Sequence, residues 1–428
     1  MDYKRQEIKQ GITVHNINTD KFKTNIVAIF LTTPMSREYV TFNSMISSIL
    51  RRGTKNMPTQ EEISKELEEM YGANFNNGID KLGDNHTLKF YMESINDEYL
   101  PQGNENLLKQ SIQKLSEIVF NPILENNVFK QEYLDQEKQA MTQRINAKID
   151  NKALYASHRC VECMYKDDPA ALYKYGYVED IDKINSENLY NHYKELIDNC
   201  KIDIFISGKN ELEKSLEMLS EDENIKKLKP RKPNYIINDI MIKEEPKEQT
   251  VEEIQNVNQG KIVIGCDIIF DEEDLKDENL RYEALLYNNL LGGSANSKLF
   301  QNVREKASLA YTASSNYVRF KSNIYIKAGI EIQNYEKAIK IIKEQLESMR
   351  NGEFTEEEIE NEKKAIISGI DLIDDEQDAG IVYLYGQEIS DTHVELEDYK
   401  QRIRSVTKDQ ILNIAKKIKI NTIYFLRN

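Results

Sequence analysis

The chain is poor in the residues that build metal and redox centres, and it has no segment of the kind that anchors a protein in a membrane. Its 428 residues include only five histidines and four cysteines, Cys160, Cys163, Cys200 and Cys266. So few cysteines in so long a chain exclude a disulfide framework and fit a reducing compartment. His15, His86, His192 and His393 stand alone, without the short spacing of a ligand pair. No apolar run approaches the roughly 20 residues of a transmembrane helix. The first ten residues lack the apolar stretch of a signal peptide, so a cytoplasmic protein is expected. Basic residues are outnumbered 57 to 73 by acidic ones, for a net charge of −16. That balance argues against a nucleic-acid or anionic-membrane partner. Gly292-Gly293-Ser294 is not followed by the Lys-Ser/Thr pattern of a phosphate loop.

What is present is a globular composition, 39% hydrophobic and 30% charged, in a length that calls for two or more domains. The main architectural signal is a weak internal repeat. The apolar run Ile26–Leu31 has a counterpart in Ile262–Ile269, and both read as buried strands. Each is followed by a helical segment, Phe42–Leu50 or Tyr282–Leu291, closed by Gly53 or Gly292 in the manner of a helix C-terminus. Strands His86–Met92 and Asn323–Gly329 correspond, as do the helical stretches Leu134–Met141 and Ile359–Ile366. Capping boxes are read at Thr59/Glu62, Thr355/Glu358 and Thr407/Gln410. Helices starting at Ser186 and Thr407 lead into strands Ile202–Ile206 and Thr422–Leu426. The first copy is longer, and the polar stretch 96–106 is the expected insertion. The reading is α+β, with two homologous α/β domains, each a mostly antiparallel sheet packed with helices. Their expected bounds are 1–225 and 254–428, joined by a charged, proline-bearing linker at 226–253.

A duplicated chain with this order of elements resembles the pitrilysin/insulinase-like zinc peptidases, an inverzincin family, and in particular the branch of the mitochondrial processing peptidase subunits. Leu50-Arg51-Arg52-Gly53-Thr54 is similar to the end of that family's zinc helix. Lys166–Pro169 and Gly176–Ile181 resemble the segment leading into the last helix of its first domain. Leu299–Tyr311 is similar to its Arg-Tyr motif. The zinc helix of such peptidases has His, Glu and His at relative positions i, i+3 and i+4, two ligands with a carboxylate to activate water. Counting back from Gly53-Thr54, the resemblance puts Ser44, Ser47 and Ser48 at those positions. Glu137 fills the acidic position seven residues before the third ligand, where Arg144 stands. Hydroxyls do not make a zinc site, and a guanidinium repels a cation. Out of context, the serines are a small polar face of a packed helix; the flanking resemblance makes them a dismantled centre.

Arg304 and Tyr311 keep the spacing of the pair that, in active members, binds the substrate backbone; read alone, they are a surface pair at a helix end. The resemblance therefore implies a non-catalytic member. It would hold no zinc itself, bind a zinc-bearing paralogous subunit and supply Arg304 and Tyr311 to a peptide substrate. The alternative is a scaffolding homo-oligomer of the same fold. His158, Cys160 and Cys163 form a further cluster, in which buried small cysteines outweigh a metal role.

Overall fold

The computed structural model describes residues 2–101, 105–237 and 240–428. They form two compact units. The sheet of the first unit runs, edge to edge, Asp2–Lys9, Ile12–Asn18, Lys201–Gly208, Thr24–Pro34, Asn85–Ile95 and Asn74–Leu82. The sheet of the second runs Gln249–Ile254, Ile418–Arg427, Gly260–Ile268, Asn323–Ile330 and Ala310–Val318. Leaving out the edge strand Asp2–Lys9, which the repeat did not foresee, the two orders are the same. Each sheet has a single parallel pair in the same place, Ile12–Asn18 with Lys201–Gly208 and Gln249–Ile254 with Ile418–Arg427. All other pairings in both sheets are antiparallel. This is the mixed α/β, largely antiparallel duplication that the sequence predicts.

The uninterrupted apolar run at residues 26–31 reflects burial on both faces, as a strand sandwiched between layers requires. Val27, Ile29 and Leu31 face the main core of the first unit, with Ile46, Leu115 and Leu189. Ile26, Ala28 and Phe30 face a second cluster formed with Ile381, Leu384, Tyr385 and Ile389. Those last residues lie on the Gln377–Ile389 helix, far along the chain. The second unit is built in the same way: Ile262, Ile264 and Cys266 face its main core. Val263, Tyr424 and Leu426 meet Ala156 and Cys160 of the Lys152–Met164 helix. Each half of the chain thus supplies a helix to the sheet of the other half. The packed units are Met1–Asn146 with Leu172–Ile237 and Ile373–Ile389, and Ala147–Ala171 with Asn238–Leu372 and Ser390–Asn428. Division at a linker of 226–253 follows chain order; division by packing does not.

Local signals carry over with two changes of cause. The boxes at Thr59 and Thr407 form, and Thr355 and Glu358 exchange the same two hydrogen bonds. At the Ser186–Asn199 helix the capping box is made by Asn185 and Asn188 instead. Gly53 is extended, not a left-handed cap; a Cβ there would sit 2.4 Å from the Pro58 carbonyl oxygen. At Gly292, inside a π-helical turn, a Cβ would sit 2.6 Å from the Ser315 backbone nitrogen. Both glycines answer to close backbone approach. Within the expected insertion, Asp97–Tyr99 is a short helical turn and residues 102–104 lie outside the described residues.

Candidate functional site

Ser44, Ser47 and Ser48 lie on the Val40–Ile49 helix, and none is more than 5% exposed. The Ser44 hydroxyl donates to the Lys174 carbonyl oxygen at 2.9 Å. The Asn77 side-chain amide, from the edge strand Asn74–Leu82, donates to both the carbonyl and the hydroxyl oxygen of Ser47 at 2.7 and 3.1 Å. The segment around Lys174 is pinned over this helix. Its ammonium donates to the Ile79 carbonyl at 2.7 Å, and the Tyr177 N–H donates to Thr41 Oγ1 at 3.1 Å. Gly176 has φ +82° and passes so near the helix that a Cβ would sit 2.3 Å from Thr41 Oγ1. Only glycine combines that backbone angle with that approach.

Three neighbours complete the polar layer: Asn43 and the two histidines His86 and His192, which stand alone in the sequence. Asn43 lies between two imidazoles: its amide donates to His86 Nδ1 at 3.2 Å, and its oxygen accepts from His192 Nε2 at 2.8 Å. His86 Nε2 donates to the same Lys174 carbonyl at 2.9 Å. The network assigns both rings as neutral Nε2–H tautomers. Burial lowers both pKa values to about 4. His192 is stacked on Tyr39 at 4.6 Å and met edge-on by Phe42, and its buried Nδ1 has no hydrogen-bond partner. Asn43 precedes Ser44 on the same helix, and that adjacency was the signal available for finding it.

The distant ligand position is reversed in charge. Arg144 is exposed near the end of the Gln131–Asn146 helix, its guanidinium 5.5 Å from the Tyr175 ring centroid. Glu137 is buried and paired with the Arg52 guanidinium, which also donates to Gln136 at 2.9 Å. Its role here is a buried ion pair between two helical segments. The donor set therefore does not fit zinc: two of the three serine hydroxyls are committed to protein partners, and Arg144 brings a permanent positive charge.

The second-unit pair lies in the open. Arg304 is on a π-helical turn over Phe300–Lys306, stacked at 4.5 Å on Phe300 and 3.5 Å from Glu305 Oε1. Tyr311 is 57% exposed on the edge strand Ala310–Val318. Ala310 pairs with Ile330 and Thr312 with Gly329, so Tyr311 is the extra residue of a β-bulge. Bulges at sheet edges turn a side chain out of the pleat.

One other set of potential ligands converges among the described residues, His15, Asp203 and Glu388, all buried in the first unit. It does not suit a cation. Lys201 pairs with Asp203 and, at 3.0 Å, with Glu388; Arg5 makes two 2.8 Å bonds to Glu388. Each carboxylate thus already faces a positive charge, Lys201 at Asp203 and both Lys201 and Arg5 at Glu388, and these charges would repel a metal ion. Nor does the sequence cluster at 158–163 form a thiolate site. Cys160 is fully buried, its thiol 3.6 Å from the Val263 carbonyl, and burial pushes its pKa up to about 12.

Residues 183–366 match the family model of the peptidase M16 inactive domain. The chain is 35% identical over 421 residues to the "probable inactive metalloprotease YmfF" of Bacillus subtilis, covering 97% of this chain and 96% of that protein. Among solved structures, a conserved protein from Enterococcus faecalis superposes with a TM-score of 0.88 at 26% identity, over 100% of this chain and 99% of that one. A peptidase M16 inactive domain from Pseudomonas fluorescens gives a TM-score of 0.79 at 16% identity, covering 100% and 98%.

Proposed function

Because the chain belongs to the M16 peptidase family, as an inactive peptidase-like member, we propose that it is the substrate-holding subunit of a two-chain peptidase. A paralogous partner bearing zinc would perform the hydrolysis. The observation that carries this reading is a contrast between the two halves of the chain. The serine face is buried and hydrogen-bonded by its own chain, whereas Tyr311 is turned out on a bulge of an open sheet edge with Arg304 exposed seven residues before it. An exposed guanidinium and phenol are suited to donate to the carbonyl oxygens of an extended peptide.

The test is reconstitution with a zinc-bearing paralogue and a fluorogenic peptide. The chain alone is expected to hold no stoichiometric zinc and to leave the peptide intact. Arg304→Ala and Tyr311→Phe in the reconstituted pair are expected to lower turnover by about tenfold or more, the scale of a lost charge-assisted hydrogen bond. Unchanged turnover in both variants, or cleavage by the chain alone, would overturn the reading.

A further inference from the structure

The second unit contains a cluster of three guanidiniums, of which only that of Arg402 has a carboxylate partner among the described residues. Arg281 opens the Leu280–Asn288 helix, and its guanidinium is 5.8 Å from the Tyr282 ring centroid. Arg402 approaches the same ring at 5.6 Å, and Tyr399 meets it edge-on at 4.7 Å. Arg319 lies in the turn between the paired strands Ala310–Val318 and Asn323–Ile330, stacked at 4.8 Å on Phe320 and donating to the Ser390 hydroxyl. Arg402 has Glu278 at 3.3 Å. Among the described residues, neither Arg281 nor Arg319 has a carboxylate within ion-pair distance. Asp398 lies within electrostatic range of Tyr282 but pairs with none of the three.

The absence matters because Arg319 is half-buried. Burial, and then the like charge of Arg281, lower its pKa, and only tyrosines act in the other direction. An unpaired guanidinium withdrawn from water is costly unless something negative compensates it. A second observation points the same way. The Tyr317 hydroxyl, within electrostatic range of Arg319, is buried with no hydrogen-bond partner. In a chain of net charge −16, this is a local surplus of positive charge.

We propose that Arg281 and Arg319 form a binding site for an oxyanion, a phosphate or carboxylate group, with Arg402 adding to the field and the Tyr317 hydroxyl as a further donor. The planar fork of arginine suits two-oxygen acceptors of this kind. Phosphate and carboxylate sources separate by experiment. The full chain is titrated calorimetrically with inorganic phosphate, with a tetrapeptide bearing a free C-terminal carboxylate, and with its amidated twin. Saturable binding of phosphate or of the free-acid peptide is expected, with the amidated twin silent. Arg281→Gln and Arg319→Gln should each weaken that binding about tenfold, whereas Arg404→Gln, on the outer face of the Leu396–Ser405 helix, should not. Arg281 makes no ion pair whose loss would endanger folding, so its variant remains informative if the Arg319 variant does not fold. The site is refuted if neither anion binds at millimolar concentration, or if binding survives Arg281→Gln unchanged. Either result leaves the reading of Arg304 and Tyr311 untouched.

Discussion

Ser44 and His86 donate to one shared acceptor, the carbonyl oxygen of Lys174, each at 2.9 Å. A backbone oxygen with both its lone pairs engaged is a fixed part of the interior. The serine-bearing helix face is therefore a packed surface with its own polar chemistry.

It follows that restoring the ligand residues will not restore a metal. The variant Ser44→His, Ser47→Glu, Ser48→His should hold no stoichiometric zinc by elemental analysis. It should also unfold at lower urea, since forcing larger side chains into a closed site costs about 1–3 kcal/mol each.

Acid should loosen the first unit through the imidazoles. His86 and His192 titrate at about 4 when folded, against 6.5 for a free side chain. Below pH 6.5 the unfolded chain binds their protons more readily than the folded one. The stability they confer is complete above pH 6.5 and is lost as pH falls towards 4. Urea midpoints followed by circular dichroism should decline over that window, and His192→Gln should make the decline shallower.

The second unit should respond in the opposite sense through Glu283. Burial, then the nearby Asp277 carboxyl, raise its pKa from 4.5 to about 7, and its Oε1 is buried without a partner. The folded state favours the protonated form, so this contribution is complete below pH 4.5 and is lost as pH rises through 7. Glu283→Gln should raise the unfolding midpoint at pH 8 and leave it nearly unchanged at pH 5.

Glu388 fastens the Gln377–Ile389 helix to the first sheet through Arg5 and Lys201. Those partners hold its carboxyl far below the usual range. Glu388→Gln would leave Lys201 buried beside Asp203 with one carboxylate fewer. A loss of about 3 kcal/mol is expected from breaking a buried ion cluster on one side. Urea unfolding of the variant against the parent measures it.

The duplication was legible because strand and helix periods are local, and the same periods recur in both halves. The serine offsets and Arg144 were legible through their fixed spacing from flanking residues. The destination of the Gln377–Ile389 helix was not. The run at 26–31 announces a strand buried on both faces, but nothing in its composition says which distant segment covers the second face. The same holds for Lys174: a loop carbonyl acting as acceptor leaves no mark on residue identity. Asn43 and its two imidazoles were separated by enough sequence to read as unrelated. Only their shared burial unites them.

The reciprocal loan of helices bears on how such a chain can be divided. Lys152–Met164 and Gln377–Ile389 fall 225 positions apart, at equivalent places in the repeat, yet each serves the other half's sheet. A gene split at the linker would encode two polypeptides, each with one sheet face bare and one helix stranded. Neither product would be expected to reach a soluble native state until the other was present to return what it carries.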